Sequence, residues 1–241
     1  MKLIWGVVVA SLALLGLWWK TRPAPEPGAF VSYRVDARRQ NLRLYWQDDT
    51  GQPLRSIQRL KEWLGGQHQR LVFATNAGMF REGNAPLGLF IQEGKLRTPL
   101  DTMAGSGNFY LKPNGVFFTT TDGRAAVCTT EGFVFSPRIR YATQSGPMLV
   151  LAGQIHPAFR PESTNLNVRN GVGILPDGQV VFAMSKEPVS LYAFAAYFQQ
   201  LGCRNALYLD GFVSRTYLPE KHWQQTDGDF GVMIGVSEPE R

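Results

Sequence analysis

Turn signals cut much of this chain into pieces that suit strands and little else. Glu93-Gly94, Pro113-Asn114-Gly115, Asp122-Gly123, Ala152-Gly153 and Pro176-Asp177-Gly178 each stand between short apolar or β-branched runs. Glycine and its Asn or Asp neighbours supply the backbone conformations that a tight reversal needs. The clearest hairpin pairs residues 171–175 with residues 179–184. Such a chain is predominantly strand.

Two segments break the pattern. Leu54, Ile57, Leu60 and Leu64 recur at helical spacing, with Pro53 placed for a first turn and Gly65-Gly66 for the stop. Leu191, Phe194, Ala195, Phe198 and Leu201 do the same between Ser190, suited to N-capping, and the terminator Gly202. Each helix leads into a short apolar strand that ends in a polar residue near glycine. Leu71-Val72-Phe73-Ala74-Thr75 runs into Asn76-Ala77-Gly78, and Ala206-Leu207-Tyr208-Leu209 runs into Asp210-Gly211. The unit thus recurs about 135 positions apart. A polar side chain closing an apolar strand, with glycine leaving a ligand room at the backbone, is a common placement for a site. Asn-x-Gly and Asp-Gly also start ordinary turns. No composition break separates the two units, so residues 29–241 are expected to form one α+β domain, a strand-rich mixed sheet with a few packed helices.

A different kind of segment precedes it. Residues 3–19 are apolar apart from Gly6, Ser11 and Gly16, with Lys2 in front and Lys20 and Arg22 behind. This is slightly short of the ~20 residues of a spanning helix and slightly beyond the ~7–15 of a cleavable signal core. No Ala-x-Ala site precedes Pro23-Ala24-Pro25-Glu26-Pro27, so residues 1–22 read as a signal anchor in preference to a cleaved signal peptide. Residues 23–28 read as a stiff proline-rich linker. The expectation is an exported domain on the periplasmic or extracytoplasmic face, with the inner membrane as a partner through this segment. The net charge of +6 then says little about other partners. Three of the 25 basic residues flank the apolar segment, and the remaining 22 face 19 acidic ones. No run of five Lys or Arg occurs, which argues against nucleic acid. Cys128 and Cys203 are the only cysteines; one disulfide and two buried free thiols both fit, and no Cys-x-x-Cys spacing marks a redox pair.

Several catalytic machines are missing from the sequence. There is no Gly-x-Ser-x-Gly elbow, no phosphate loop ending Gly-Lys-Ser/Thr and no His-Glu-x-x-His, and His68, His156 and His222 stand far apart. Asp227 and Asp229 read as a solvated turn; no cofactor is expected, and no metal-ligand cluster shows in the sequence, which leaves a metal requirement open. What remains is a polar set on glycine-rich turns. It comprises Asn76 and Asn84 around Gly78-Met79-Phe80, then Pro86-Leu87-Gly88, Ser145-Gly146-Pro147, Arg169-Asn170-Gly171, and Asp210-Gly211 with Ser214. A carboxylate, an arginine and amide or hydroxyl groups suit a substrate carrying hydroxyls and an anion. The arginine fork can hold a phosphate or carboxylate, and Asp210 can act as base or nucleophile at an electrophilic carbon. Plain structural readings stand beside these: Arg169 as a cap or surface pair, Gly146-Pro147 as a bend, Phe80 as core.

The order of these pieces carries a resemblance. Asn76-Ala77-Gly78-Met79-Phe80 followed by Pro86-Leu87-Gly88-Leu89 and Gly94, then Ser145-Gly146-Pro147-Met148-Leu149-Val150 with Gly153, then Arg169-Asn170-Gly171-Val172-Gly173, and last Leu201-Gly202 with Ala206-Leu207-Tyr208-Leu209-Asp210-Gly211, resemble successive motifs of the phosphodiester glycosidase family. The likeness runs in order over about residues 70–235. It departs where Ala77 and Met79 replace a glycine and an aromatic, and where Phe212-Val213 precede a lone Ser214 in place of a glycine and a Ser-Ser pair. The resemblance implies a hydrolase that cleaves a sugar-1-phosphodiester, here in an envelope glycoconjugate. Asp210 would assist attack at the anomeric carbon, Arg169 would hold the phosphate, and Asn76, Ser145 and Ser214 would orient hydroxyls or oxyanions. Gly78, Phe80, Gly88, Gly146, Asn170 and Gly211 would shape the substrate's place. Asn76, Arg169 and Asp210 should then converge on one cleft. The bulk of Phe212 beside the carboxylate would narrow that cleft, or would suit a non-enzymatic glycan- or protein-binding module on the same fold.

Overall fold

A computed structural model describes residues 28–240, so the apolar segment 3–19 and the linker up to residue 27 lie outside the described residues. The strands form three sheets. In the first the order is β1 (Phe30–Val35), β12 (Val180–Ser185), β11 (Asn170–Ile174), β13 (Ala206–Asp210), β9 (Met148–Leu151) and β10 (Gln154–Ile155). In the second it is β15 (Trp223–Gln224), β14 (Thr216–Leu218), β3 (Gln69–Asn76), β16 (Met233–Pro239) and β2 (Asn41–Tyr45). In the third it is β5 (Lys95–Thr98), β4 (Phe90–Gln92), β8 (Ile139–Ser145), β6 (Gly115–Thr120) and β7 (Ala125–Thr129). Two α-helices, α1 (Ile57–Gly65) and α2 (Leu191–Gln200), accompany them among the described residues.

Strand content is as expected, but the single mixed sheet is not. Every strand pairing among the described residues is antiparallel. A parallel crossover would need the two helix–strand units to feed one sheet. Instead β3 and β13 enter different sheets.

Local chemistry explains the reversals. Glu93-Gly94 joins β4 to β5 and Ala152-Gly153 joins β9 to β10, with positive φ at both residues of each turn (52° and 75°, 50° and 82°). That is the pattern of a two-residue type I′ hairpin. Helix α1 starts later than Pro53, which pairs with Gln47 in an isolated bridge; the cap is Ser56, whose hydroxyl accepts from the Arg59 amide at 3.2 Å. Helix α2 begins where expected, with Ser190 accepting from the Ala193 amide at 3.1 Å, and Gly202 follows its end at φ 80°.

One apolar core serves all three sheets. Phe182 of the first sheet stacks on Phe73 of the second at 5.2 Å between centroids and meets Phe117 of the third edge-on at 5.8 Å. Each such ring contributes about 1.5–3 kcal/mol through burial. Helix α2 covers the other face of the first sheet through Phe194, Ala195 and Phe198, while α1 packs Ile57, Leu60 and Leu64 beside Leu71 and Ala74 of β3. Cys128 and Cys203 are both free thiols, which settles the disulfide question. Burial pushes them up to about 11 and about 12, away from the thiolate a redox role requires.

Candidate active site

The two sheets that receive β3 and β13 bring the ends of those strands together. Asn76 closes β3, Asp210 closes β13, and the Asn76 amide Nδ2 donates to Asp210 Oδ2 at 2.9 Å. The other carboxylate oxygen, Oδ1, accepts from the backbone N–H groups of Gly211 (2.6 Å) and Phe212 (2.9 Å). Asn170 stands beside Asp210 on the neighbouring strand β11. Its Nδ2 donates to Asn76 Oδ1 at 3.0 Å, to the Asn76 carbonyl at 2.7 Å and to Thr75 Oγ1 at 2.8 Å. Asn76 Oδ1 also accepts from the Arg215 amide at 3.0 Å. Two donors on that oxygen fix the orientation of the Asn76 amide, so its NH₂ faces the carboxylate. Ser214 Oγ donates to the Asp210 carbonyl at 3.2 Å and lies 3.4 Å from Asn170 Oδ1.

Asp210 is buried, and loss of hydration raises its pKa above the usual 3.8, against the lowering effect of its amide donors. The carboxyl borders a cleft of about 530 Å³, together with Gly211, Phe212 and Phe80. Tyr208, Asn108, Asn165 and Asn167 also face this cleft, and among the described residues no Lys or Arg lines it. The expectation that Phe212 narrows the cleft is overturned. Its side chain is 94% exposed at the rim, while its backbone N–H grips the carboxylate.

The assignment of Arg169 to phosphate binding also changes. Arg169 is fully buried, so it reads neither as a surface pair nor as a fork open to substrate. Its Nε donates to the Val189 carbonyl (2.8 Å), Nη1 to the Tyr208 hydroxyl (2.9 Å), and Nη2 to the Asn165 carbonyl (2.8 Å) and Oδ1 (3.0 Å). Four of the five N–H donors of a guanidinium are thereby committed to protein oxygens. Arg169 lies under the cleft and holds two residues that line it.

Comparison with known proteins places this arrangement. The family model described as phosphodiester glycosidase matches residues 69–236. The chain belongs to the phosphodiester glycosidase family. The uncharacterized protein YigE of Escherichia coli is 35% identical over 188 residues, covering 78% of this chain and 73% of its own. Among solved structures, the catalytic domain of zebrafish N-acetylglucosamine-1-phosphodiester alpha-N-acetylglucosaminidase, auto-inhibited by its pro-peptide, matches with a TM-score of 0.60 at 14% identity, over 91% of this chain and 85% of that one. A hypothetical protein from Synechocystis matches with a TM-score of 0.57 at 15% identity, over 90% of this chain and 61% of that one. At such identities these two likenesses show the fold alone.

The residues that carried the family resemblance divide into two groups. Asp210, Met79, Phe80, Leu87, Tyr208 and Gly211 border the cleft, and Asn76, Asn170 and Ser214 form the hydrogen-bonded layer behind the carboxylate. The others serve protein packing. Ser145 is fully buried and its hydroxyl donates to the Leu209 carbonyl at 3.0 Å, which ties β8 to β13 one residue before Asp210 and leaves nothing for a substrate. Gly78, at φ 138°, leaves room for the Gln144 carbonyl and Thr143 hydroxyl; Gly88 leaves room for the Gln144 side chain and Gly146 for Asn114. Their missing side chains clear space for protein atoms, not for a ligand. Asp227 and Asp229 pair with Arg215 and Arg55, each at 2.9 Å.

Gly211 has a sharper requirement. A Cβ there would fall on the Tyr208 hydroxyl. Gly211→Ala must therefore displace either the Tyr208 hydroxyl, with its bond from Arg169, or the loop that grips Asp210, and it is expected to cost about 1–3 kcal/mol in urea unfolding, as overpacking does. Gly65→Ala, at a helical glycine with open space around it, is the contrasting control and should be neutral or slightly stabilising.

Tyr208 and the asparagines were not among the residues singled out from sequence. Alternation along an extended strand, which relates residues 208 and 210, is the signal that could have found Tyr208. Asn108, Asn165 and Asn167 sit outside the strands, in stretches whose polarity matches that of any surface turn.

Proposed function

We propose that this protein hydrolyses a sugar-1-phosphodiester of the cell envelope, breaking the bond between the anomeric carbon and the phosphate oxygen. Water's oxygen ends on the anomeric carbon, and the phosphate monoester of the second alcohol leaves with the electrons of the C1–O bond. The observation that carries this reading is the buried Asp210 carboxylate, held by three hydrogen-bond donors at the wall of an open cleft in a chain of this family. Asp210 acts as base or nucleophile at the anomeric carbon. Fixed donors hold the carboxylate in one orientation before substrate arrives, which is the preorganisation such catalysis relies on. A phosphate monoester is already a fair leaving group, so a strong general acid is dispensable. The asparagines on the cleft supply neutral donors and acceptors for sugar hydroxyls. The apolar segment 3–19 supports an extracytoplasmic location at the inner membrane.

The rival reading, a binding module without activity, drew on Phe212 blocking the site. That side chain is 94% exposed and leaves a cleft of about 530 Å³ beside the carboxylate, so Phe212 does not argue for the rival.

The test is turnover of an N-acetylglucosamine-1-phosphodiester and a panel of related sugar phosphodiesters by the full-length chain, followed across pH. Asp210 must be ionised to act, and its pKa is raised. The acid limb of kcat/KM should therefore lie above the usual carboxylate value of 3.8. Stability moves the opposite way. Between the unfolded and folded pKa values the folded state binds the extra proton, so this group's contribution to stability falls as pH rises through that window. No turnover of any member of the panel would sink the hydrolase reading. An acid limb at or below the usual value would remove Asp210 from its role.

A further inference from the structure

We propose that the second alcohol of the phosphodiester is a hydrocarbon chain, and that Phe212 and Leu166 form an apolar rim that receives it. The inference rests on the hydrolase reading and names the class of its substrate: a sugar joined through one phosphate to a long-chain alcohol.

Six large apolar side chains are exposed among the described residues, and two of them, Phe212 and Leu166, belong to loops around this cleft. Phe212 itself borders it and is 94% exposed. Leu166, 53% exposed, stands between the cleft residues Asn165 and Asn167. A soluble surface tolerates scattered apolar side chains, but apolar groups gathered on the loops of one cleft mark a binding surface.

The backbone that carries these side chains is held in place. Phe212 is tied through its backbone N–H to Asp210 Oδ1, which keeps its loop beside the carboxylate. Leu166 is fixed on both sides. Asn165 is clamped by Arg169, and Asn167 exchanges backbone hydrogen bonds with Val189 (3.2 and 2.9 Å). A preorganised rim binds without a large ordering cost.

Charge favours a neutral chain over a charged one. Among the described residues no Lys or Arg lines the cleft. A nucleoside diphosphate or an anionic polymer on the far side of the phosphate would add negative charge to that of the phosphate itself, next to a carboxylate. A neutral hydrocarbon adds none. Met79, Leu87 and Val213 continue the apolar surface into the cleft. The apolar segment 3–19 and its short proline-rich linker, read from sequence, keep the domain beside a lipid bilayer, where such amphiphiles reside.

The experiment compares diesters of one sugar 1-phosphate with methyl, butyl and octyl alcohols, all kept monomeric, on the full-length chain. Burial of a methylene is worth severalfold in affinity. Wild type should therefore prefer the octyl over the methyl diester by at least about tenfold in kcat/KM, and Phe212→Ser or Leu166→Ser should bring that ratio close to one. In parallel, calorimetry with methyl, butyl and octyl phosphate reads the rim without turnover, and the same chain-length preference should appear and be lost in the same variants. Absence of turnover with a surviving, variant-sensitive preference for octyl phosphate would overturn the hydrolase reading and keep the rim. Equal binding of methyl and octyl phosphate, or a preference that persists in both variants, overturns the rim. In that case the exposed side chains serve another occupant, a protein surface included.

Discussion

Asp210→Asn is expected to reduce hydrolysis of a sugar-1-phosphodiester by about 10²–10⁴-fold, the range seen when a positioned acid–base group is lost. The substitution also has a structural cost that follows from the hydrogen bonds. Asp210 Oδ1 faces two backbone N–H groups and Oδ2 faces the Asn76 NH₂, so all three neighbours are donors. An asparagine must turn its own NH₂ toward one of them. Asn76 cannot flip to accept, because its Oδ1 already receives Asn170 Nδ2 and the Arg215 amide. A buried donor facing a donor costs about 1–3 kcal/mol. Loss of activity in this single variant is therefore open to a structural reading.

The exchanged pair removes that reading. In Asn76→Asp combined with Asp210→Asn, the carboxylate at position 76 accepts from Asn170, Arg215 and the new amide at 210. The oxygen of that amide still accepts from Gly211 and Phe212. Every hydrogen bond is restored, with the charge moved across the pair. Urea unfolding should recover most of the loss, while turnover stays at the level of the single variant. If turnover returned with stability, the position of the negative charge would be immaterial and Asp210 would be a structural residue.

How much of this was legible in the sequence depends on the range of each interaction. The type I′ turns at Glu93-Gly94 and Ala152-Gly153 and the Ser190 cap follow from neighbours in the chain, and they appear where the sequence puts them. The partition into three sheets does not, because pairings such as β3 with β16 and β1 with β12 join residues far apart and leave no local mark. The repeated helix–strand–polar–glycine unit was the best guide to the site: its two polar residues, 134 positions apart, meet at 2.9 Å. Ser145, Gly78, Gly88 and Gly146 were read as facing a ligand because their motifs belong to the same ordered family pattern as the one that holds Asp210. Their neighbours turn out to be protein atoms, and a motif alone does not distinguish clearance for a ligand from clearance for packing. Arg169 was misread for a related reason. Arginine is rarely buried, so a turn-flanking arginine reads as available to an anion unless the acceptors that surround it are known.

Arg169→Ala separates those two roles, and the expected result is a loss of about 3–5 kcal/mol of folding stability, as for a large side chain removed from a packed interior. The substitution leaves a cavity and takes the donor from the Asn165 carbonyl and the Tyr208 hydroxyl; Val189 O keeps its bond from the Asn167 amide. Part of the cost is offset, since a buried charge without a carboxylate partner is itself unfavourable: its four acceptors are neutral, and the Tyr208 ring face lies 5.5 Å from the guanidinium carbon. Arg169→Lys should recover little, because a single ammonium on a flexible stem cannot span Val189, Tyr208 and Asn165 together. Catalysis should fall as well, through Asn165 and Tyr208 losing their support at the cleft. A surface arginine that held the phosphate directly would behave differently. Its removal would leave urea unfolding within about 0.5 kcal/mol of wild type and raise KM for phosphodiesters alone. Unchanged stability with a raised KM would return Arg169 to the substrate. The loss of several kcal/mol, with lysine unable to substitute, would establish it as the residue that holds the cleft's floor.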